Sequence, residues 1–128
     1  MYNWRFNEKE SLLEVQYDGE IPINDIQVML TEMDEKLNGT YNELRVLIDG
    51  RKADYVVNSL SELEKIGKIV ISLKQRVRKI RHATVFAEIM PPAVSSIFKQ
   101  KVKQLDGYEY ALFGSIHQAR EWLNLDKV

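Results

Sequence analysis

Strand-like and helix-like hydrophobic patterns follow one another along this chain, and their order restricts the fold more than any other feature of the sequence. Apolar residues alternate with polar ones in segments 2–6 and 13–17, and a period of two indicates strands. The short link between these segments favours an antiparallel pair. From residue 24 onwards, helix-like and strand-like segments alternate, which favours parallel strands joined by right-handed crossovers.

The predicted element order is ββαβαβαβα. It describes a single α/β domain covering 1–128, with four helices and a mixed, mostly parallel five-stranded sheet. Asp18 and Gly19 are expected to end the second strand, and Ser115 is expected to cap the last helix. The helices are predicted at 24–37, 59–80, 90–105 and 116–123, and the later strands at 43–50, 82–89 and 108–114.

Composition removes several classes of function. The net charge of -1 argues against nucleic acid as a partner, because binding phosphates usually needs a basic excess. The chain has no cysteine, which excludes disulfides and thiolate chemistry. No apolar stretch is long enough to be a transmembrane segment. The first ten residues lack the apolar core of a signal peptide, so we expect a cytoplasmic protein.

Catalytic and metal-binding patterns are not recognisable in the sequence. It has no glycine-rich phosphate loop, nucleophile elbow or HExxH motif. His82 and His117 are the two histidines, and neither lies in a cluster with the spacing of metal ligands. We therefore expect a protein that is not an enzyme, with no catalytic residues, metal or cofactor.

The stretch "VLIDGRKADYVVNSL", residues 46–60, contains the candidate site. Asp49 is predicted at the carboxyl end of a parallel strand, where open α/β sheets bind ligands. Arg51 follows in a predicted loop and offers charge to an anion. The alternative is that Asp49 is an ordinary loop residue whose carboxylate accepts backbone hydrogen bonds.

Asn58 and Ser59 stand where the second long helix is predicted to begin. Either side chain suits a helix N-cap, which is the commoner role of these residue types. Ser59 is also a candidate phosphoacceptor, because a helix N-terminus accommodates added negative charge.

Three segments resemble the STAS-like domains of the SpoIIAA-like superfamily of bacterial anti-sigma-factor antagonists, with the CRAL-TRIO-like STAS subgroup as the best match. They are "VQYDGEIPINDIQVML", "LRVLIDGR" and "YALFGSIHQAREWL". The resemblance implies a non-enzymatic regulatory module that docks a protein partner around Asn58 and Ser59. Phospho-regulated antagonists have an Asp-Ser-Ser-Gly run there, and this chain, with "VNSL", keeps only the serine.

CRAL-TRIO-like relatives imply an alternative function, the binding of an apolar, lipid-like small molecule between helices and sheet. Met29, Met33, Met90 and Phe98 are the candidate lining residues, although methionine also fills irregular core space. The basic segment 73–82 is either a site for an acidic partner or headgroup, or a solvated helix end. A homo-oligomer formed through the long helix or an edge strand stays open as well.

Overall fold

A five-stranded sheet organises the residues that the structure describes, which in this computed structural model are 2–36, 41–56, 60–75, 77–85 and 106–124. The strands lie in the order β1-β2-β3-β4-β5. The first pair is antiparallel and the other three are parallel. The elements are β1 Tyr2–Asn7, β2 Leu12–Pro22, α1 Ile23–Lys36, β3 Tyr41–Val56, α2 Leu60–Lys74, β4 Val77–Val85, β5 Tyr108–Phe113 and α3 Ile116–Trp122.

The predicted α/β class and the mixed, mostly parallel sheet are confirmed. β1 and β2 pair antiparallel from Tyr2 opposite Tyr17 to Asn7 opposite Leu12. The period of two in β1 separates half-buried aromatic residues from exposed polar ones, as expected for a strand with one covered face. The helix predicted at 90–105 lies outside the described residues.

The alternation of side chains gives the sheet two different faces. α1 and α2 cover the first, here called the α1–α2 face, and α3 packs on the second, the α3 face. The core of the α1–α2 face consists of Leu13, Val15, Tyr17, Ile21, Met29, Met33, Leu44, Val77 and Ile80. The core of the α3 face is smaller and consists of Leu12, Leu47, Ala83, Val85, Ala119 and Leu123.

β2 and β3 run further than their sequences suggest. The predicted end of β2 at Asp18 and Gly19 is wrong, because a register shift after Gln16 restores pairing that continues to Pro22 opposite Val56. Gly19 adopts a φ of 77°, a conformation that glycine reaches without strain. The predicted loop after Asp49 is wrong for the same reason, since pairing with β2 keeps these turn-type residues extended.

The boundary between α2 and β4 was also predicted wrongly. The apolar spacing indicated a helix to residue 80 and a strand at 82–89, but α2 ends at Lys74 and β4 spans Val77–Val85. The Lys74 ammonium donates hydrogen bonds of 2.9 Å to the carbonyls of Val77 and Arg78, which fixes the turn between the two elements. Most of the basic segment therefore belongs to a strand and not to a helix end.

The guanidinium of Arg45 ties three parts of the fold together. From its half-buried position on β3 it donates from Nε to the carbonyl of Glu10 at 3.0 Å, in the turn between β1 and β2. Its Nη1 donates to the carbonyl of Leu123 at 3.1 Å, at the end of α3. One side chain thus fastens both the first hairpin and the last helix to the centre of the sheet.

Replacing Arg45 should reveal the strength of this contact. We expect Arg45→Ala to lower the free energy of unfolding by about 2 kcal/mol, because part-buried carbonyls lose a charged donor. Arg45→Lys should recover part of the loss. Urea unfolding measures both, with Arg78→Ala, at an exposed residue of β4, as the control. Equal effects of Arg45→Ala and Arg78→Ala would contradict this role.

Candidate functional site

A groove of about 460 Å³ lies on the α3 face and is lined by residues of β1, β2, β3 and α3. It forms beside the small core of that face, because α3 packs mainly on β3, β4 and β5. Alternation explains its polar floor: Leu13 and Val15 belong to the core of the opposite face, so Glu14 and Gln16 point into the groove. Its charged lining residues are Arg5, Glu14, Asp49, Arg51 and Arg120.

Asp49 and Arg51 form a two-pronged ion pair within this groove. The Arg51 Nε donates to Oδ1 of Asp49 and Nη2 donates to Oδ2, both at 2.9 Å. The backbone N–H of Arg51 adds a hydrogen bond of 3.2 Å to Oδ1. These hydrogen bonds from Arg51 hold the pKa of the Asp49 carboxyl below its usual value. The carboxylate therefore stays ionised and paired at neutral pH.

Glu14 lies between two further guanidiniums. Arg5 on the neighbouring strand approaches Oε2 through Nη2 at 2.7 Å. Arg120 on α3 approaches Oε1 through Nη1 at 3.5 Å. The described lining thus holds three guanidiniums against two carboxylates, a balance of +1 in a chain whose net charge is -1.

The residues that the sequence singled out are only partly brought together. Asp49 and Arg51 share the groove, but they lie on β3 and not in a loop after it. From Asp49 to the end of β3 at Val56 the strand covers about 23 Å, at roughly 3.3 Å per residue. Asn58 and Ser59 lie outside the described residues, so their capping, docking and phosphoacceptor roles stay predictions.

A second feature is a cavity of about 100 Å³ on the α1–α2 face. Met29 and Met33 line it together with Tyr17 and Val70, and both methionines also belong to the buried core of that face, the alternative that the sequence left open. Almost all of the lining is apolar. Met90 and Phe98, the other candidate lining residues, lie outside the described residues.

His82 is a buried polar residue beside this cavity that sequence reasoning misplaced at the junction between a helix and a strand. It lies within β4, where Nδ1 is 2.8 Å from the hydroxyl of Tyr108 and Nε2 is 3.1 Å from Oγ1 of Thr84. The ring of Tyr110 packs against it edge-on, with centroids 4.8 Å apart. The alternation of side chains along β4 could have placed His82 inside the sheet, but only if the start of this strand at Val77 had been predicted correctly.

Burial dominates the titration of this cluster. It lowers the pKa of His82 from 6.5 to about 3 and raises the pKa values of Tyr108 and Tyr110. At neutral pH the imidazole is therefore uncharged, and both of its nitrogens have hydrogen-bond partners. This arrangement suits a structural role in the core.

The architecture matches that of an uncharacterized protein of the DUF3478 family from Shewanella loihica PV-4, whose crystal structure has a SpoIIAA-like fold. The match has a TM-score of 0.64 and covers 96% of this chain and 92% of that one. This chain has a SpoIIAA-like fold. The sequence identity of 17% extends the likeness to the fold alone. The predicted fold of this SpoIIAA-like domain is thus confirmed, and the CRAL-TRIO-like subgroup stays a prediction.

No family model and no curated protein matches the sequence of this SpoIIAA-like domain. Within the described ranges, no three His, Asp or Glu side chains are grouped so that they could hold a metal ion. None of the described helices has the length and apolar character needed to cross a membrane.

The burial of His82 predicts a specific dependence of stability on pH. The folded domain keeps this imidazole neutral down to about pH 3, whereas the unfolded chain binds a proton below pH 6.5. Its contribution is complete above pH 6.5 and is lost as the pH falls. Between pH 7 and pH 5 we expect a loss of about 2 kcal/mol from this group. Urea unfolding at both values measures it.

The difference between two variants isolates that effect. His82→Gln should remove the histidine part of the pH dependence, whatever it does to stability at pH 7. His117→Gln should keep it, because the side chain of His117 is 77% exposed. Asp49 does not interfere, since its stabilising contribution is constant between pH 7 and pH 5 and is lost only as the pH falls below about 4. Equal pH dependence of His82→Gln and the wild type would contradict the assignment.

Proposed function

We propose that this SpoIIAA-like domain is a non-enzymatic interaction module that docks a protein partner on the groove of the α3 face. The observation that carries the proposal is the composition of this groove, where three guanidiniums lie beside the apolar side chains of Leu47 and Ile116. Arginine is enriched at the energetic centres of protein interfaces. The groove also contains Asp49 and Arg51, the two described members of the predicted site.

The chemistry of the groove favours binding over catalysis. General acid–base catalysis needs a group whose pKa lies near the working pH. The lowered pKa of Asp49 and its pairing with Arg51 make this carboxylate a poor proton donor and a weak base. We therefore retain the proposal that the domain is not an enzyme. Docking at Asn58 and Ser59 remains implied by the resemblance, and phosphorylation of Ser59 stays a prediction from the sequence.

Photo-crosslinking in cells of the source organism tests this proposal. A benzophenone amino acid at Gln16, an exposed position on the groove floor, should form an adduct with one defined protein. The same group at Glu35, exposed on α1, is the matched control. The captured protein, once identified and purified, should bind the wild type and should lose at least about tenfold in affinity with Arg51→Glu.

Two results would overturn the docking proposal. One is an identical set of adducts from the Gln16 and Glu35 positions. The other is a purified partner whose affinity is unchanged by Arg51→Glu while the variant remains folded.

The cavity on the α1–α2 face favours a second candidate function, the binding of a small apolar molecule. Its lining is apolar and includes two adaptable methionines, Met29 and Met33. Its size narrows the class of ligand. An apolar cavity of about 150 Å³ binds benzene in another protein, and sites for drug-sized ligands begin at about 300 Å³. A volume of about 100 Å³ therefore suits a compound of a few heavy atoms better than a lipid chain.

Xenon, a small apolar probe, and palmitate, a lipid chain, distinguish a cavity for small compounds from a cavity for lipids. Pressurised xenon should shift the methyl NMR signals of Met29 and Met33, and palmitate should leave them unchanged. Val70→Ile adds one methylene to the lining and should weaken the xenon effect. Shifts with palmitate would show that the site opens for a larger ligand. No shifts with either probe would contradict a binding cavity.

A further inference from the structure

We infer that the outer edge of β1 pairs antiparallel with β1 of a second copy of this chain, about a two-fold axis beside Trp4. The pairing joins two five-stranded sheets into one. β1 is an end strand of the sheet and pairs with β2 on its inner side. Within the described ranges, no strand lies on its outer side. Because backbone groups alternate, every second residue of β1 directs its N–H and C=O to that side, which is a template for another strand.

β1 lacks several features that usually prevent pairing at a sheet edge. Lysine, proline and bulges are common protections. The strand, YNWRFN, contains neither lysine nor proline. Its ladder with β2 is regular from Tyr2 to Asn7, without a register shift. Arg5 is its one charged residue, so a second copy can pair along the strand if the register accommodates this charge.

Symmetry and charge together select one register. A two-fold axis perpendicular to the sheet places one residue opposite its own copy, and residues of the same face opposite each other. An axis beside Arg5 sets two guanidiniums directly opposite each other, which is destabilising. An axis beside Trp4 engages residues 2–6 and sets Arg5 opposite Asn3, which is uncharged. An axis nearer to either end of the strand engages fewer residues.

The side chains suit this register on both faces of the sheet. On the α3 face, the side chain of Arg5 is 80% exposed and directs both Nε and Nη2 to one oxygen of Glu14. The amide oxygen of Asn3 from the second copy would lie opposite this guanidinium and can accept from it. On the α1–α2 face, the half-buried ring of Trp4 meets its own copy. Aromatic pairs directly across two antiparallel strands are stabilising.

α1 leaves room for the second copy and brings both signs of charge to the axis. It packs on β2 more closely than on β1. The indole N–H of Trp4 donates to Oε2 of Glu32 at 3.4 Å, and Nζ of Lys36 lies 5.9 Å from the ring centroid. Each copy therefore contributes one carboxylate and one ammonium beside the axis, so the contact is self-complementary in charge.

The size of the contact predicts a weak and reversible dimer. One short strand and its flanking side chains bury less than the roughly 1,200 Å² at which stable interfaces begin. We expect a dissociation constant of about 10–100 μM, measured by sedimentation equilibrium over a range of concentrations.

Variants at Asn3 test the register through charge. Asn3→Arg places a cation opposite Arg5 and should weaken the dimer at least about tenfold. Asn3→Glu places a carboxylate there and should strengthen it about threefold. Gln118→Arg, an equal change of charge at an exposed residue of α3, is the control and should have no effect. Circular dichroism verifies that each variant is folded.

Single cysteines report the register directly, because the chain has none of its own. Asn3→Cys and Arg5→Cys proteins are mixed and oxidised gently. The disulfide between the two variants should form faster than either disulfide between identical copies, since directly opposite Cβ atoms are about 4.5–5.5 Å apart and diagonal ones are further. Intact mass distinguishes the three products.

Three results would overturn the inference. The first is a domain that remains monomeric at about 500 μM, well above the expected dissociation constant. The second is a dimer that Asn3→Arg and Gln118→Arg weaken equally. The third is formation of the three disulfides at equal rates, which excludes pairing about Trp4. The docking proposal does not depend on these results and is judged separately by crosslinking at Gln16.

Discussion

The parallel pairing of β2 with β3 is the constraint on which the rest of the described structure depends. The ladder runs from Leu12 opposite Arg45 to Pro22 opposite Val56. β1 adds to one side of this pair and β4 to the other. Because side chains alternate along a strand, the register decides what each face carries. A slip of one residue in β2 would move Glu14 into the apolar core.

The cavity and the groove are consequences of that division. α1 and α2 together cover one face and enclose the large apolar core. α3 has only 7 residues and packs mainly on β3, β4 and β5. The groove remains beside it, over the first strands, with a floor of paired charges. Arg45 holds the end of α3 on the sheet, and α3 carries Arg120, whose guanidinium lies 3.5 Å from Glu14.

Sequence patterns sufficed where the deciding contacts are local. The alternation in β1 and the cap at Ser115 depend on neighbours a few residues away, and both are present as predicted. The patterns failed at Gly19 and after Asp49, where turn-type residues stay extended because a distant strand pairs with them. The site divides in the same way. Asp49 and Arg51 could be predicted as site residues because they lie two positions apart in one segment. Arg5, Glu14 and Arg120 are distant in the sequence and come together only in the folded domain.

The central claim is that the charge pattern of the groove directs docking. Its most direct test is the affinity of the crosslinked partner for a variant in which the two charges of the Asp49–Arg51 pair are exchanged. Asp49→Arg combined with Arg51→Asp keeps the net charge and keeps opposite charges two residues apart on one face of β3. Because such a pair is partly exposed, stability should change by less than about 1 kcal/mol. We predict an unfolding midpoint close to that of the wild type and a loss of affinity of at least about tenfold. Wild-type affinity in the folded double variant would contradict it.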